Sequence, residues 1–350
     1  MKAARKRIGE RNMKKNFSDC VILFGGNSEE RRVSVGSAQN LSSQIPEAKL
    51  WFLSREGNIH EINGPELAAH KNPFMVEFVP LNGPHYFSVK ESVEGLKGKT
   101  VIIALHGTEG EDGTLQKIFE DAHIAFTGTG SHASALSFDK VETKNIARKN
   151  HIPVVEEMTV GVFTSEECSR IEAFFNQHKK IVLKPSANGS SVGLFIISTI
   201  QELKDAFKTI KEKNLSHYLA EPFITGREIT VGIRHKANGD ISPLPCSEVR
   251  VIQGRQFDYE GKYLGSGVEE LTPAPISEDE TKKCQDIALR VHKMMGCKGY
   301  SRTDMILTHD GPILLEINTL PGLSRASFIP QQLRVLGEDL RTFFQEQINL

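Results

Sequence analysis

The sequence lacks the features that mark membrane-spanning or disulfide-bonded proteins. Its apolar runs are short, Val101–Leu105 being one of the longest, whereas a helix that crosses a bilayer needs about 20 apolar residues. Its five cysteines are scattered and show no CxxC spacing. This argues against a disulfide framework or a zinc site and favours a reducing compartment. We therefore expect a cytoplasmic protein without membrane insertion.

Neither sign of charge is in excess. The 350 residues include 43 Lys and Arg against 44 Asp and Glu, a net charge of −1. A generally basic surface for nucleic acid is therefore not indicated, and we expect no nucleic-acid partner. Hydrophobic residues make up 39% and charged residues 25%, values that exclude disorder of the chain as a whole. At about 150 residues per domain, the length suggests two or three domains.

The N-terminus is the one strongly basic segment. Residues 1–15 carry seven Lys or Arg and a single acid, Glu10. The apolar stretch that would follow these charges in a signal peptide is missing. We expect residues 1–17 to form a disordered tail, with Met13 as an alternative start; a transit peptide or an anion-binding arm is the other interpretation.

Strand and helix patterns alternate in the N-terminal third, which predicts a parallel sheet flanked by helices. The middle of the chain instead combines short strands, a Gly/Ser loop and an Asn238-Gly239 hairpin turn. We place domain boundaries near residues 134 and 222. The predicted strands of the first sheet are residues 21–24, 50–53 and 101–105, and its first helix begins at about Ser34. The expected domains are residues 18–133, 134–222 and 223–350.

A predicted hairpin near the C-terminus carries the clearest chemical pattern. Two alternating runs, 302–307 and 313–318, flank the turn signal Asp310-Gly311. If the turn centres on Asp310, the even-numbered polar residues share one face, because side chains alternate along a strand. On that face Asp304 is opposite Glu316, and Arg302 is opposite Asn318. The other face, which we predict to be a core face, carries Thr303, Met305, Leu307, Ile313, Leu315 and Ile317.

The polar face of this hairpin suits a hard cation. Asp304 opposite Glu316 sets two carboxylates about 5 Å apart, which destabilises a sheet unless a cation lies between them. Carboxylate and amide oxygens are typical ligands of magnesium, and Arg302 adds a fork of donors for phosphate. The alternative is an exposed polar face on which Arg302 neutralises the acids. A Mg²⁺-dependent hydrolase would also fit the hairpin alone.

Three loops follow predicted strands at positions that suit a ligand. The glycines and serines of residues 184–193 allow backbone N–H groups to approach phosphate, although this is not a Walker A loop and could be an ordinary hairpin loop. Residues 25–30 and 106–113 lie where open α/β sheets bind ligands, although His106 could be purely structural. Lys140 and Lys184 could supply positive charge to a nucleotide, but lone lysines are usually solvated.

Taken in order, these motifs resemble the D-alanine–D-alanine ligases, an ATP-grasp family of cell-wall precursor synthesis. The resemblance covers the chain from about residue 20 to the C-terminus. It implies a mixed α/β fold of three domains with the nucleotide between the last two. The motifs are Gly25-Gly26-x-Ser28-x-Glu30, the His106–Gly113 loop, Asp139-Lys140 with Lys144, Lys184–Gly193, Glu221 with Glu228, Asp258–Tyr263, Arg302-x-Asp304, and Glu316-x-Asn318-Thr-x-Pro-Gly322.

The resemblance implies a role for each matching position. Two Mg²⁺ ions, or Mn²⁺, are implied at Asp304, Glu316 and Asn318. The ammonium of the first D-alanine is implied at Glu30, linked to Ser190 and Tyr263, and its carboxylate at His106. ATP is implied at Lys140, Lys184, Glu221, Phe223, Ile224, Glu228 and Lys262. The second substrate and the oxyanion are implied at Arg302, Gly322 and Ser327.

The implied activity is ATP-dependent ligation of two D-alanines through an acyl phosphate, by a homodimer in the bacterial cytoplasm. Tyr263 is the residue associated with D-alanine as second substrate, and Arg32, Pro222 and Phe328 depart from the usual family residues. A related ligase that uses D-lactate or D-serine is one alternative. A nucleotide-binding protein without ligase activity is the other.

Overall fold

A computed structural model describes residues 15–187, 193–251 and 268–350. Three sheets form, each from one stretch of the chain, and the expected mixed α/β architecture is confirmed. Most of the expected N-terminal tail lies outside the described residues. Phe17, which we placed in that tail, is instead buried in a short 3₁₀ turn, Phe17–Asp19.

The first sheet has the strand order β3-β2-β1-β4-β5. Its inner pairs are parallel, as predicted, but β3 pairs antiparallel with β2. The sequence prediction missed β3, because four residues are too few to show a period. The strands are β1 (Cys20–Gly25), β2 (Lys49–Leu53), β3 (Ile59–Ile62), β4 (Thr100–Ile103) and β5 (Ala125–Phe126).

Helix α1 starts at the end of β1 and is fixed there by a buried hydroxyl. The Ser34 Oγ accepts a hydrogen bond from the N–H of Gly25 and donates one to the carbonyl of Ala104, both at 2.7 Å. The helix begins at Arg31, earlier than predicted, which sets Glu30 at its N-cap beside the strand ends. The helices of this region are α1 (Arg31–Gln44), α2 (Gly64–Ala69), α3 (Val89–Leu96) and α4 (Thr114–Asp121).

The second sheet is antiparallel throughout, in the order β6-β9-β7-β8. Helices α7 and α8 cover it, and a separate apolar core lies between them and the strands. The strands are β6 (Met158–Val160), β7 (Ile181–Pro185), β8 (Phe195–Ile197) and β9 (Tyr218–Pro222). The helices are α5 (Ser131–Phe138), α6 (Lys140–Lys149), α7 (Ser165–His178) and α8 (Ile200–Glu212).

The third sheet has the order β12-β11-β10-β13-β14, with an apolar face on one side and the charged residues of β13 and β14 on the other. Its apolar face packs on the long helix α9. A capping box between Ser277 and Glu280 stabilises the N-terminus of this helix. The strands are β10 (Arg227–His235), β11 (Ile241–Val251), β12 (Val268–Leu271), β13 (Tyr300–Thr308) and β14 (Gly311–Asn318). The helices are α9 (Glu278–Met294), α10 (Phe328–Val335) and α11 (Leu340–Gln347).

The predicted C-terminal hairpin forms with the expected pairing at its polar end. Arg302 is opposite Asn318, and Asp304 is opposite Glu316. The turn, however, consists of His309 and Asp310 rather than being centred on Asp310.

A β-bulge after Asp304 absorbs the extra residue and reconciles the two ends of the hairpin. Leu314 is therefore the buried residue at 0% exposure, whereas Ile313 and Leu315 are only half-buried. Our prediction of Ile313 and Leu315 as core residues was wrong, because a bulge shifts the side-chain alternation by one position.

All five cysteines lie in the described residues and are free thiols. Among the helices described, none combines the length and apolar character needed to cross a membrane.

Candidate active site

Strands β10, β13 and β14 bring the predicted metal ligands to one polar face. Arg302 donates two hydrogen bonds to Asp304, from Nε to Oδ1 at 2.9 Å and from Nη2 to Oδ2 at 2.7 Å. The Thr230 hydroxyl also donates to Asp304, and Asn318 Nδ2 donates to its Oδ2 at 3.1 Å. Asp304 is only 7% exposed, so these donors fix its carboxylate rigidly.

The second acid of the hairpin has its own cation. Lys140 Nζ, from α6, lies 3.2 Å from Glu316 Oε2. Arg302 and Lys140 thus offset the repulsion between the opposed carboxylates, which the sequence analysis left as the alternative to metal binding. In the described part of the chain no three His, Cys, Asp or Glu side chains gather as a metal site. The fit to a hard cation rests on two carboxylates and the amide of Asn318, whose oxygens suit it.

A second charged cluster lies on the central sheet, and it is more deeply buried. Glu221 of β9 is ion-paired with Lys144 of α6, and Lys184 Nζ of β7 lies 2.8 Å from Glu221 Oε2. Burial alone would raise the pKa of Glu221, but the charges of the two lysines outweigh it and hold this pKa below its ordinary value. The carboxylate that the resemblance assigns to adenine is therefore also the anchor of two lysines.

Helix α6 connects the two clusters. Lys140 and Lys144 are one turn apart and lie on the same helix face; the first reaches the hairpin and the second reaches Glu221. The Asp139 side chain caps this helix by accepting two backbone N–H groups. The N–H of Lys140 donates to the carbonyl of Ser186 at 3.0 Å, which holds the helix start against the glycine-rich loop.

The connection from β9 to β10 holds Phe223 and Ile224, two residues that the resemblance assigns to ATP. The N–H of Phe223 donates to the carbonyl of Lys180 at 3.0 Å, and the Lys180 ammonium lies 3.6 Å from the Phe223 ring centroid. Pro222 has no N–H, so Ile224 is the first residue of this connection whose N–H could face a base. Glu228 lies on β10, on the same strand face as Thr230.

The loop after β4 holds the segment that follows β14. His106 Nδ1 is 2.8 Å from the carbonyl oxygen of Leu320, and Glu111 Oε1 accepts the N–H of Leu320 at 3.0 Å. Because a carbonyl oxygen only accepts, Nδ1 carries the proton. The other ring nitrogen, Nε2, then accepts from the Ser37 hydroxyl at 2.9 Å.

Leu323 is held in the same way. Ser37 Oγ accepts its N–H at 3.1 Å, and Asn40 Nδ2 donates to its carbonyl at 2.7 Å. We call the side chains of Ser37, Asn40, His106 and Glu111 the latch; all four are buried. The latch fixes the backbone on both sides of Gly322, and both ring nitrogens of His106 are engaged within the protein.

Glu30, which the resemblance assigns to the first D-alanine, lies beside this loop. A Cβ atom on Gly107 would come within 3.0 Å of Glu30 Oε2, so a side chain there would disturb the carboxylate.

Burial is the main cause that raises the pKa of Glu111 to about 7, and the negative charge of Glu30 adds to it. Burial likewise lowers the pKa of His106 below its ordinary value, so the ring is neutral at neutral pH.

Arg302, Gly322 and Ser327, which the resemblance assigns to the second substrate and the oxyanion, line one small cavity. Ser327 begins α10, and its hydroxyl lies 2.8 Å from that of Ser324. The cavity also contains Phe74 of the N-terminal region, which the sequence analysis missed.

The sequence patterns gave no separate role to Ser37, Glu111 or Lys144. Glu111 and Ser37 each have a backbone partner more than 200 residues away, and no local sequence pattern predicts such contacts. Ser190, Lys262 and Tyr263 lie outside the described residues.

Comparisons with known proteins agree over most of the chain. A family model described as D-ala D-ala ligase N-terminus matches residues 19–129, and one described as D-ala D-ala ligase C-terminus matches residues 145–349. A D-alanine–D-alanine ligase of Leptospira interrogans is 31% identical, with 94% of this chain and 97% of the relative covered. One from Halalkalibacterium halodurans is 33% identical, with 94% and 98% covered.

Solved structures give the same result. The D-alanine–D-alanine ligase of Coxiella burnetii superimposes with a TM-score of 0.73 at 26% identity, covering 95% of this chain and 94% of the other. The VanG D-Ala:D-Ser ligase of Enterococcus faecalis gives 0.76 at 27% identity, covering 95% and 98%. Together with the geometry of the hairpin, the lysines and the latch, these matches show that the chain belongs to the D-alanine–D-alanine ligase family, the ATP-dependent ligases of the ATP-grasp fold.

Proposed function

We propose that this protein joins two D-alanines to D-alanyl-D-alanine, using ATP and releasing ADP and phosphate, for peptidoglycan precursor synthesis. The observation that carries the proposal is the position of α6. This helix sets Lys140 against the oxygen ligands of the hairpin and Lys144 against Glu221. Lysines for phosphate and acids for a cation therefore converge on one place, beside the cavity of Arg302.

The chemistry joins two reactants that repel each other. A carboxylate oxygen of the first D-alanine attacks the γ-phosphorus of ATP, and ADP leaves. The neutral amine of the second D-alanine then attacks the acyl phosphate carbonyl, its proton is lost, and phosphate leaves. The chain contributes mainly by positioning and by charge. Lys140 and Lys184 contact phosphate oxygens, and Arg302 with the Gly322 N–H stabilises the oxyanion of the tetrahedral intermediate.

We assign magnesium, or manganese, to Asp304, Glu316 and Asn318. When bound, two such ions would offset the negative charge of the triphosphate. The hydrogen bonds from Arg302 and Thr230 hold the Asp304 carboxylate in place for this role. Glu316 is the more accessible acid, with 24% of its side chain exposed.

The remaining assignments concern substrate and assembly. Glu30, with Ser190 and Tyr263, engages the first D-alanine, and Lys262 with Tyr263 belongs to a lid that excludes water. Glu221, Ile224 and Glu228 hold the nucleoside. We propose domain boundaries near residues 134 and 222; the three sheets, built from residues 20–126, 158–222 and 227–318, support this division.

We further propose a homodimer in the bacterial cytoplasm. The free cysteines fit a reducing compartment. Leu81 is 80% exposed and Phe87 69% exposed, so this N-terminal surface is a candidate contact. Light scattering after size exclusion would test it: wild type should elute as a dimer, and Leu81→Asp with Phe87→Asp should shift it to a monomer. A monomeric wild type would contradict the dimer.

A ligase that takes D-serine as second substrate is the second candidate, because the VanG D-Ala:D-Ser ligase is a structural neighbour. Phosphate release from Mg-ATP, with products identified by mass, distinguishes the two. The assay compares D-alanine, L-alanine, and D-alanine with D-serine or D-lactate. We expect release with D-alanine alone and the homodipeptide as product. Release only with a mixed pair would favour the second candidate, and ATP binding without release would contradict ligation.

Glu316→Ala tests the metal assignment. Loss of one carboxylate ligand should lower turnover by about 10³-fold, the scale of a lost electrostatic contact at the reacting groups. Turnover is measured across a Mg²⁺ series. Asp310→Ala, in the exposed turn of the same hairpin, is the matched control and should keep wild-type turnover. Substantial ligation by Glu316→Ala would overturn the assignment.

A further inference from the structure

Two cavities of very different size lie side by side and share Phe74, Ser324 and Ala326. The inner cavity, about 40 Å³, contains Arg302 and Gly322, which we assign to the second substrate. The outer cavity, about 550 Å³, is lined by α1 and by residues 68–74. The shared residues form the wall between them, and Phe74 is the large side chain of that wall.

The Phe74 ring is packed tightly against α1. A Cβ atom at Gly36 would lie 2.9 Å from the ring's Cζ and 3.2 Å from Cε1. Real Cβ atoms do not approach carbon this closely, so the ring occupies its position because residue 36 has no side chain. Any side chain at position 36 would push the ring away from the helix.

The segment that carries Phe74 is anchored a few residues later. Phe78 is 5% exposed and packs on the Phe24 and Phe52 rings. Glu77 makes ion pairs with three arginines, Arg31, Arg32 and Arg55. The anchor holds the backbone, so the position of the ring is set by the fold of the N-terminal region rather than by the catalytic sheet.

We propose that Phe74 determines the specificity for the second substrate. Its ring closes the inner cavity and limits the side chain of that substrate to about the size of a methyl group. The proposal rests on the proposed function, since it concerns the second amino acid of that ligation. A fixed aromatic wall excludes larger side chains by overlap, and removing it would join the inner cavity to the outer one.

Phe74→Ala tests this directly. Purified variant and wild type are given Mg-ATP, D-alanine and a second amino acid from the series D-alanine, D-2-aminobutyrate, D-valine and D-leucine. Tandem mass spectrometry identifies dipeptides with the larger residue at the C-terminus. We expect the ratio of kcat/KM for D-valine to that for D-alanine to rise at least about tenfold, the scale at which a pocket discriminates one or two methylenes. Met75→Ala, next in sequence and 59% exposed, is the matched control.

Gly36→Ala tests the same wall from the other side. The new Cβ should push the ring toward the inner cavity and raise KM for the second D-alanine about fivefold or more. In the double variant Gly36→Ala with Phe74→Ala this defect should disappear, because the colliding ring is gone. Comparing the two single variants with the double variant keeps the test informative if one single variant folds poorly.

An unchanged size profile in active Phe74→Ala would overturn the proposal, as would a Gly36→Ala defect that persists in the double variant. These failures are distinct from failure of the proposed function, in which the wild type itself forms no dipeptide.

Discussion

Two buried regions of this protein use glutamate in opposite ways. In the central cluster, Glu221 is 3% exposed and lies between Lys144 and Lys184. In the latch, Glu111 is 7% exposed, and its oxygens accept backbone N–H groups at 2.8 and 3.0 Å. Burial acts on both carboxylates in the same direction, yet the pKa of Glu221 is lowered and that of Glu111 is raised to about 7.

The difference shows that the partner, rather than burial, decides the charge state. Full positive charges on two lysines offset the cost of desolvation, whereas two neutral N–H donors do not, and the nearby Glu30 adds repulsion. The central cluster is therefore a fixed ion group, whereas the latch contains an acid that titrates near neutral pH.

The largest expected effect comes from breaking the central cluster. Lys144 is fully buried, so Lys144→Met leaves Glu221 with one lysine and should cost about 3–5 kcal/mol in the free energy of unfolding, the scale for a broken buried ion pair. Urea unfolding measures it. Adding Glu221→Gln should not recover the loss, because the buried Lys184 would then be left without its carboxylate. A loss below about 1 kcal/mol would mean that Lys184 alone balances Glu221.

Glu111→Gln tests the difference between the two glutamates through the pH dependence of the free energy of unfolding. A carboxyl whose folded pKa is raised from 4.5 to about 7 destabilises the fold as it ionises, so this contribution to stability falls as pH rises between those values. At about 1.4 kcal/mol per pKa unit the loss approaches about 3 kcal/mol above pH 7.

Urea unfolding of wild type and Glu111→Gln between pH 4.5 and 8 checks this. The variant loses one accepted hydrogen bond at every pH, which gives a constant offset. The wild type should lose stability relative to the variant as pH rises. A difference that does not depend on pH would remove Glu111 from the titrating groups.

The smallest expected effect on stability is that of Lys140→Ala. Its partner Glu316 keeps 24% of its side chain exposed, whereas Glu221 keeps 4%, so loss of this pair should cost less stability than Lys144→Met. Phosphate release should nevertheless fall strongly, since Lys140 contacts ATP in our assignment. Lys149→Ala, an exposed lysine at the other end of α6, should leave both quantities unchanged. A stability loss as large as that of Lys144→Met would contradict the division into a fixed cluster and an accessible site.

Local patterns predicted much of the architecture but not its irregularities. The two-residue period of β13 and β14 predicted that Asp304 faces Glu316, because a shift by one residue would turn the charges toward the core. The same period misassigned Leu315, because a bulge leaves no clear signal in alternating apolar residues. The edge strand β3 was too short to be seen.

The sequence by itself determined the alternation of strands and helices, the polar face of the hairpin and the ordered motifs of the ligase family. These follow from spacings of a few residues, which backbone geometry converts directly into faces. Only the tertiary structure decided which lysines pair with Glu221, that His106 and Glu111 bind the backbone of Leu320, and that Phe74 lines the same cavity as Arg302 and Gly322. The physical reason is distance along the chain: such contacts depend on how separately folded layers pack, and no local periodicity encodes that.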